Sequence, residues 1–280
     1  MPGTLSDSWK LTKTSFRLIA EDRSLLVFPV VAALSILGVL ALLIVGWVWV
    51  AWPLGGTGGG GAMIPVAVVL FIVAYFAMVF LSVYCTAALV GAATLKLSGQ
   101  QPTASDGWKV ARARIGRLFV WAMIAATVGL LIRLISSRVR GIGGQIIGLV
   151  GGIAWSVVTY FMIPVLLYED LGAWASLKRS AHLFTSTLGR TLVSNIVISL
   201  LIGAGIVVAV VLGLSGLFLL IGGAVLLGVI LIGVGIAVGV VVALLGATAE
   251  GILEAALYRY ATTGKVDPDL LPVGYAPLRL

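Results

Sequence analysis

The sequence predicts an all-α polytopic membrane protein of about six transmembrane helices, with three further amphipathic helices at the membrane interface. Of its 280 residues, 61% are hydrophobic and only 10% are charged, whereas about a quarter of a soluble domain is charged. Three stretches contain no Asp, Glu, Lys or Arg: residues 24–95, 141–168 and 191–249. One crossing takes roughly 20 apolar residues. The first and third stretches are too long for one crossing each, so each must fold back.

Glycine-rich breaks divide these stretches into five predicted spans, since glycine and proline interrupt helices. A shorter charge-free stretch, residues 118–132, fits one more crossing with the help of its flanks. The predicted spans are residues 25–52, 63–95, 117–135, 145–168, 191–214 and 217–245. Residues 53–61 and 136–144 are predicted loops, and Ser215-Gly216 is a predicted tight turn. The sixth span is expected to continue as a helix to Thr262. The first apolar run is too long for a cleaved signal peptide, so it is predicted to be a retained span.

The distribution of basic residues predicts the orientation of the spans. With six spans both termini lie on one side, and that side carries 15 of the 18 Lys and Arg residues. The other side holds only Arg133, Arg138 and Arg140. By the positive-inside rule, both termini are predicted to be cytoplasmic in a multi-pass protein of the cell membrane.

A threefold internal similarity is the next feature. Each unit begins with a tryptophan-led amphipathic helix and continues into two spans, with approximate bounds 4–95, 104–168 and 173–245. Residues 246–280 form a predicted cytoplasmic helical extension and tail within one integral membrane domain. Because two spans return the chain to its starting side, the units share one orientation. This pattern predicts parallel repeats with pseudo-threefold character.

The amphipathic helices carry the predicted lipid contacts. In each, apolar residues recur at helical spacing on one face while cations lie off it. This pattern is typical of helices in the membrane interface, with cations at anionic headgroups. The residues predicted to contact the interface and headgroups are Trp9, Lys10, Lys13, Arg17, Trp108, Lys109, Arg112, Arg114, Trp174, Lys178 and Arg179.

Glu169 and Asp170 follow the fourth span and precede the third amphipathic helix. We interpret them as an interfacial pair that caps the third amphipathic helix, since acidic groups favour helix N-termini. We expect the pair to form a salt bridge with Lys178 or Arg179. The alternative is an ion or proton site.

Glu250 and Glu254 are spaced one helical turn apart, so their negative charges repel each other mildly. We therefore expect basic side chains to form ion pairs with them. The candidate partners are Arg112, Arg114 and Arg179. With Glu169 and Asp170, these glutamates form a predicted cytoplasmic charged collar. The alternative is a cation-coupling site, since ionisable groups at membrane depth mark ion pathways.

Small residues predict close helix packing. Gly144, Gly148 and Gly152 form one face, and Gly235 and Gly239 belong to a second. Small residues let membrane helices approach closely. We favour packing between spans of one chain over self-association into a homo-oligomer. Gly222-Gly223 is a candidate for a break in the sixth span, of the kind that lines transporter sites.

Several function classes are disfavoured. Cys85 is the only cysteine, so no intrachain disulfide can form, and His182 is the only histidine, which argues against a His-based metal cluster or a catalytic triad. No nucleotide-binding loop or hydrolase elbow occurs. The net charge of +8 is explained by membrane flanks, and no nucleic-acid partner is expected. We expect no enzymatic activity and no cofactor.

Three segments carry a family resemblance: Ser8–Asp22, Ile163–Phe184 and Glu254–Gly264. With them the chain resembles a family of uncharacterised prokaryotic six-span membrane proteins, a domain of unknown function. More distantly, the run that contains Pro164-Val165, Glu169 and Leu177-Lys178-Arg179-Ser180 is similar to the membrane domain beside some glycerophosphodiester phosphodiesterases. That domain is not catalytic, so the resemblance implies a fold and no chemistry.

These observations lead to two functional hypotheses. The first is a non-enzymatic membrane scaffold or lipid-interacting protein that contacts anionic headgroups at the cytoplasmic face and can associate with itself or another membrane protein. The second is a transporter or channel for an apolar or lipid-like substrate. An enzyme acting on lipids at the inner interface ranks last.

Overall fold

The computed structural model describes residues 23–51, 60–139 and 141–263, with side chains except at residues 23, 49–51, 60–64 and 186–198. The described part contains helices and no strand. It begins with a 3₁₀ turn, Arg23–Leu26. The helices are α1 (Val27–Ala51), α2 (Gly60–Leu97), α3 (Ala104–Ala113), α4 (Ile115–Arg138), α5 (Ile142–Thr159), α6 (Met162–Tyr168), α7 (Ala173–Ile221) and α8 (Val225–Thr263).

Among the residues that the structure describes, six helical segments are long and apolar enough to cross a membrane. They are Ser24–Val48, Pro65–Leu97, Ile115–Arg138, Ile142–Tyr168, Ser199–Ile221 and Val225–Thr263. Their apolar side chains are largely exposed, among them Leu42, Phe71 and Phe218, as expected of surfaces that face lipid rather than water. The chain is therefore an all-α, multi-pass membrane protein, and the predicted fold class is confirmed.

The chain forms two compact units. The first comprises Met1–Pro29, Ala93–Ala104 and Thr185–Leu280, and the second comprises Val30–Ala92 and Ser105–Phe184. In the first unit, the 3₁₀ turn packs on α8. In the second, α4 packs along α5 and contacts α6. The threefold repeat and its boundaries stay a prediction.

The fourth span is not one continuous helix, because it breaks between α5 and α6. Pro164 lacks an N–H group, and its ring would clash with the carbonyl of Tyr160 in a regular helix. The break leaves the Phe161 N–H group without a partner in its own helix, and this group donates a buried hydrogen bond of 3.0 Å to Ser180 Oγ on α7. The interruption is thus tied to the neighbouring helix.

The turn between the fifth and sixth spans lies later than predicted. Helix α7 runs through Ser215-Gly216 to Ile221, and the turn is formed by residues 222–224 with Gly223 at φ +87°. A positive φ favours glycine. A Cβ at Gly216 would lie 2.7 Å from the Gly228 carbonyl oxygen of α8, so this glycine permits helix packing. The predicted turn at Ser215-Gly216 is wrong. A break does occur at Gly222-Gly223, as predicted, but it forms the turn between the fifth and sixth spans.

The three predicted amphipathic helices are not all separate from the spans that follow them. The first, predicted before Arg23, lies outside the described residues. The second is α3, which is separated from α4 by a kink at Arg114. The third is not a separate helix, because it forms the first turns of the 49-residue helix α7. No proline intervenes there, and an isolated glycine such as Gly189 is tolerated within a helix.

Candidate functional site

An arginine–carboxylate cluster in the second unit joins the end of α6 to the α3–α4 kink and to the start of α7. We define it as Arg114, Arg117, Glu169, Asp170 and Arg179. Asp170 Oδ1 accepts hydrogen bonds from Arg114 Nη1, at 3.2 Å, and from Arg117 Nη2. Arg117 Nη1 also donates to the carbonyl oxygen of Glu169, at 3.3 Å. Arg117 therefore holds both acidic residues at the end of the fourth span.

Glu169 makes the second half of the cluster. Arg179 Nε donates to both of its carboxylate oxygens, at 3.2 Å each. Of the two partners that the sequence offered, Arg179 is the one that pairs with Glu169. The ammonium of Lys178 instead lies 5.7 Å from the centre of the Trp174 ring.

The electrostatics of the cluster favour the ionised carboxylate. The hydrogen bond from Arg117 and the charge of Arg117, followed by the charge of Arg114, hold the pKa of Asp170 below its ordinary value. The Asp170 side chain is 79% exposed, so salt and water screen these pairs. The cluster orients three chain segments more than it stabilises the fold.

Arg117 is a residue that sequence reasoning did not place in the site. It was predicted only as the start of the third span. The signal available was that Arg117 and the Glu169-Asp170 pair both fall at span ends on the same predicted side of the membrane. Nothing in the one-dimensional pattern pairs one span end with another.

Helix α3 docks on the end of α2. Its buried face consists of Gly107 and Ala111, and the Trp108 ring lies against Tyr84 with 5.4 Å between ring centres. A Cβ at Gly91 of α2 would lie 3.0 Å from a methyl carbon of Val110. The helices therefore approach closely at Gly91, and part of the Trp108 ring surface is used for protein packing.

The exposed cations of α3 point away from that contact. Lys109 and Arg112 are exposed, and Lys109 Nζ pairs with Asp106 at 2.9 Å. A pair three residues apart on one helix is a common surface arrangement of small energetic weight. The predicted headgroup contacts of α3 stay a prediction.

The start of α7 has one face towards the protein and one face away from it. Trp174 is 70% exposed, and Lys178, one turn later, lies over its ring in a cation–π contact. His182 is exposed a further turn along. We call Trp174, Lys178 and His182 the Trp174 face. The opposite face is buried and contains Ser176, Ser180, Leu183 and Phe184.

Glu250 and Glu254 lie in the first unit, on α8, whereas Glu169 and Asp170 lie in the second. Glu250 is exposed. The Glu254 Oε1 atom is buried and has no hydrogen-bond partner among the described residues. Of its predicted partners, Arg114 and Arg179 pair with the other two acids. A single collar of all four acids stays a prediction.

The predicted glycine faces contact neighbouring helices of the same chain. A Cβ at Gly144 would collide with the carbonyl oxygens of Ser136 and Val139, and one at Gly148 would lie 3.3 Å from Ser136 Cβ. At Gly152 no atom lies within 4 Å. Two of the three glycines on this face thus permit packing of α5 on α4.

On the second glycine face, a Cβ at Gly235 would lie 2.8 Å from the Ala209 carbonyl oxygen, and one at Gly239 would lie 3.5 Å from Ala209 Cβ. The same α7–α8 seam includes five glycines not predicted from sequence: Gly205, Gly213, Gly216, Gly228 and Gly246. The four-residue spacing of Gly205, Ala209 and Gly213 was a readable signal for this packing.

An apolar groove lies between α1 and α2, in the halves of these helices that adjoin the 53–61 linker. Its volume is about 660 Å³, and every lining residue is apolar, including Leu43 and Trp47 of α1 and Phe71, Ala74 and Ala77 of α2. Such a volume lies within the usual range of ligand pockets. Sequence reasoning did not find this groove, because uniformly apolar spans carry no pattern that marks one.

The remaining predicted residues contribute no further site. Arg133 and Arg138 are exposed at the end of α4, and Arg140 lies outside the described residues. Trp9, Lys10, Lys13 and Arg17 also lie outside them. Among the described residues, no group of three His, Cys, Asp or Glu side chains is placed to hold a metal ion.

Comparison with known proteins gives one match. A family model described as "Family of unknown function (DUF6159)" matches residues 62–267. No curated protein matches the chain, and no solved structure does. Nothing in these comparisons links the chain to the membrane domain beside glycerophosphodiester phosphodiesterases, so that similarity stays a prediction.

Proposed function

The chain belongs to this family of unknown function, and we propose that it is a non-enzymatic, lipid-interacting protein that holds anionic headgroups at the cytoplasmic face. The observation that carries the proposal is the Trp174 face. It presents a tryptophan that is 70% exposed, with a lysine over its ring.

The chemistry of this face suits the membrane interface. A tryptophan ring is amphipathic and favours the headgroup level, and a lysine near an anionic surface gains about 1 kcal/mol from it. Trp174 and Lys178 are held together one helical turn apart, so both reach the same headgroup layer. Lys109 and Arg112 of α3 are exposed in the same unit and add to its positive charge.

The arginine–carboxylate cluster gives this surface its shape. Because Glu169 and Asp170 engage Arg114, Arg117 and Arg179, these arginines fix the start of α7 against the α3–α4 kink. A surface ordered before binding loses less conformational entropy when a lipid arrives. The cluster arginines thus position the surface, while Lys109, Arg112 and Lys178 contact headgroups.

The groove between α1 and α2 supports a second candidate function, which is binding or transport of an apolar or lipid-like molecule. Its lining is almost entirely apolar, so an occupant would be recognised mainly by its hydrocarbon part. This candidate predicts a lipid that is retained whatever the charge of its headgroup.

Native mass spectrometry of the full chain, reconstituted with phosphatidylglycerol and phosphatidylcholine and then released gently, tests both candidates. The combined Trp174→Ala and Lys178→Gln variant should retain several-fold less phosphatidylglycerol and unchanged phosphatidylcholine. Arg138→Gln, which alters an exposed arginine on the predicted outer side, is the matched control and should retain both lipids.

Unchanged phosphatidylglycerol retention by the Trp174 and Lys178 variant would exclude the proposed headgroup site. Ala77→Trp fills the groove and separates the candidates. If this variant loses one bound lipid of either headgroup type while the face variant loses none, the second candidate is favoured.

A further inference from the structure

The Asp170 half of the arginine–carboxylate cluster carries more positive than negative charge. Arg114 and Arg117 both donate to the Oδ1 atom of Asp170, whereas Glu169 is paired with Arg179. Two guanidinium groups therefore meet at one carboxylate oxygen. A phosphate group offers more acceptor oxygens and up to about two negative charges near neutral pH, so it matches two arginines better than a single carboxylate does.

The chain holds both arginines ready for such a group. The Arg117 N–H group donates to the Arg114 carbonyl oxygen at 3.0 Å, and residues three apart on a helix lie on the same face. The Nη1 atom of Arg117 is also tied to the carbonyl oxygen of Glu169, at 3.3 Å. The two guanidinium groups are thus oriented before a ligand arrives, and oriented arginines favour bidentate recognition of phosphate.

The arginines are also within reach of a ligand from solvent or from the membrane surface. The Asp170 side chain is 79% exposed, and those of Arg114 and Arg117 are 35% and 34% exposed. Exposed ion pairs contribute little to stability, because water and salt screen them. Asp170 can therefore leave the arginines at little energetic cost, since all three side chains keep their contact with water.

The surroundings of the two arginines are positively charged. Residues 104–118 contain one acid, Asp106, which pairs with Lys109 at 2.9 Å. The same segment contains four cations: Lys109, Arg112, Arg114 and Arg117. A surface with one sign of charge raises the local concentration of the opposite ion, so anions are drawn to the place where Asp170 lies.

We propose that Arg114 and Arg117 form a binding site for a phosphate group, and that Asp170 is its internal competitor, an anion of the chain itself that a phosphate displaces. The site is separate from the Trp174 face, although both lie in the second unit. It deepens the proposed function and rests on it for a lipid source of the phosphate, whereas binding of free phosphate does not depend on that function.

Isothermal titration of the full chain with inorganic phosphate, in an uncharged detergent, tests the competition. Asp170→Ala should bind phosphate several-fold more tightly than the wild type, because the internal anion is gone. Asp106→Ala removes the same charge from the same unit and is the matched control, which should bind as the wild type does. Equal gains in both variants would reduce the effect to net charge and overturn the proposal, and so would a loss of binding in Asp170→Ala.

The arginines are tested in the Asp170→Ala background. Arg117→Gln should weaken phosphate binding several-fold, and Arg117→Lys should restore it only in part, because lysine keeps the charge without the planar fork. Arg138→Gln, at the other end of α4, should change nothing. Unchanged binding by the Arg117→Gln variant would overturn the site. If that variant fails to accumulate, the comparison of Asp170→Ala with Asp106→Ala decides, since neither change removes an apolar side chain from the core.

Native mass spectrometry after reconstitution with phosphatidic acid identifies the source of the phosphate. Several-fold more phosphatidic acid on Asp170→Ala than on Asp106→Ala would assign the site to a lipid headgroup. Equal retention, together with tighter binding of inorganic phosphate, would assign it to free phosphate. The combined Trp174→Ala and Lys178→Gln variant should titrate with inorganic phosphate as the wild type does, so failure of the Trp174 face and failure of this site are seen separately.

Discussion

At the scale of single residues, two buried serines on α7 differ in whether the hydroxyl group has a hydrogen-bond partner. Ser176 and Ser180 lie one turn apart, and both are completely buried. The Ser180 hydroxyl accepts the Phe161 N–H group at the break between α5 and α6, whereas Ser176 Oγ has no hydrogen-bond partner among the described residues. The pair therefore separates the cost of removing a used hydroxyl from the cost of removing an unused one.

We predict that Ser180→Ala destabilises the protein by about 1–3 kcal/mol, because it leaves the buried Phe161 N–H group unpaired. Ser176→Ala should leave the free energy of unfolding unchanged or slightly higher, since it removes a buried hydroxyl without a partner. Reversible unfolding in mixed detergent micelles measures both. Equal losses would mean that the Phe161 hydrogen bond adds nothing to stability.

Asp170 gives a prediction of pH dependence. Its arginine partners, Arg117 first, lower its pKa below the ordinary value of 3.8. Its contribution to stability is therefore fully present above the unfolded-state pKa and is lost as pH falls through the lower, folded-state pKa. Thermal unfolding of the wild type and Asp170→Asn should show a small difference in Tm at neutral pH that shrinks below about pH 4. A difference that persists unchanged at acid pH would contradict this origin.

At the scale of whole helices, the packing of α7 on α8 depends on small residues along both helices. In lipid, helices gain little from the hydrophobic effect, and close van der Waals contact takes its place. Small residues along both helices make that contact possible: a side chain at Gly235 would collide with the α7 backbone, whereas Gly233 has no neighbour within 4 Å.

We expect Gly235→Ala to cost about 1–3 kcal/mol through overpacking. Gly233→Ala is the matched control, and it should cost nothing or add up to about 1 kcal/mol through better helix propensity. Unfolding in mixed micelles again gives the comparison. A loss at Gly233 as large as that at Gly235 would indicate a second, unseen contact on the exposed face.

At the scale of the whole molecule, the prediction concerns which ends of the spans face the cytoplasm. The bias of Lys and Arg residues predicts that Ser98 faces the cytoplasm and that Ser137 faces the outside. In a Cys85→Ala background, a cysteine at Ser137 should react with an impermeant maleimide in intact cells. A cysteine at Ser98 should react only after the membrane is permeabilised, and the reverse result would invert the topology.

The number of spans was predictable because it depends on local composition. The length of each charge-free stretch and the positions of its glycine-rich breaks indicate six spans without knowledge of any contact. The break in the fourth span also had a local cause, Pro164, although the acceptor of the freed N–H group, Ser180, lies 19 residues away. The position of the turn between the fifth and sixth spans could not be predicted from the sequence. Gly216 and Gly223 both lie in apolar, glycine-containing surroundings, and only Gly223 has a positive φ in the structure.

By itself, the sequence determined the membrane class, the six apolar segments and the residues available for charge pairing, because hydropathy and charge are properties of each residue. Only the tertiary structure decided that Arg117 and Arg114 hold Asp170, that α3 docks on α2, and that an apolar groove opens between α1 and α2. The physical reason is that partner choice depends on distances between segments far apart in the chain. In uniformly apolar helices, the choice of packing face depends on shape, which hydropathy does not encode.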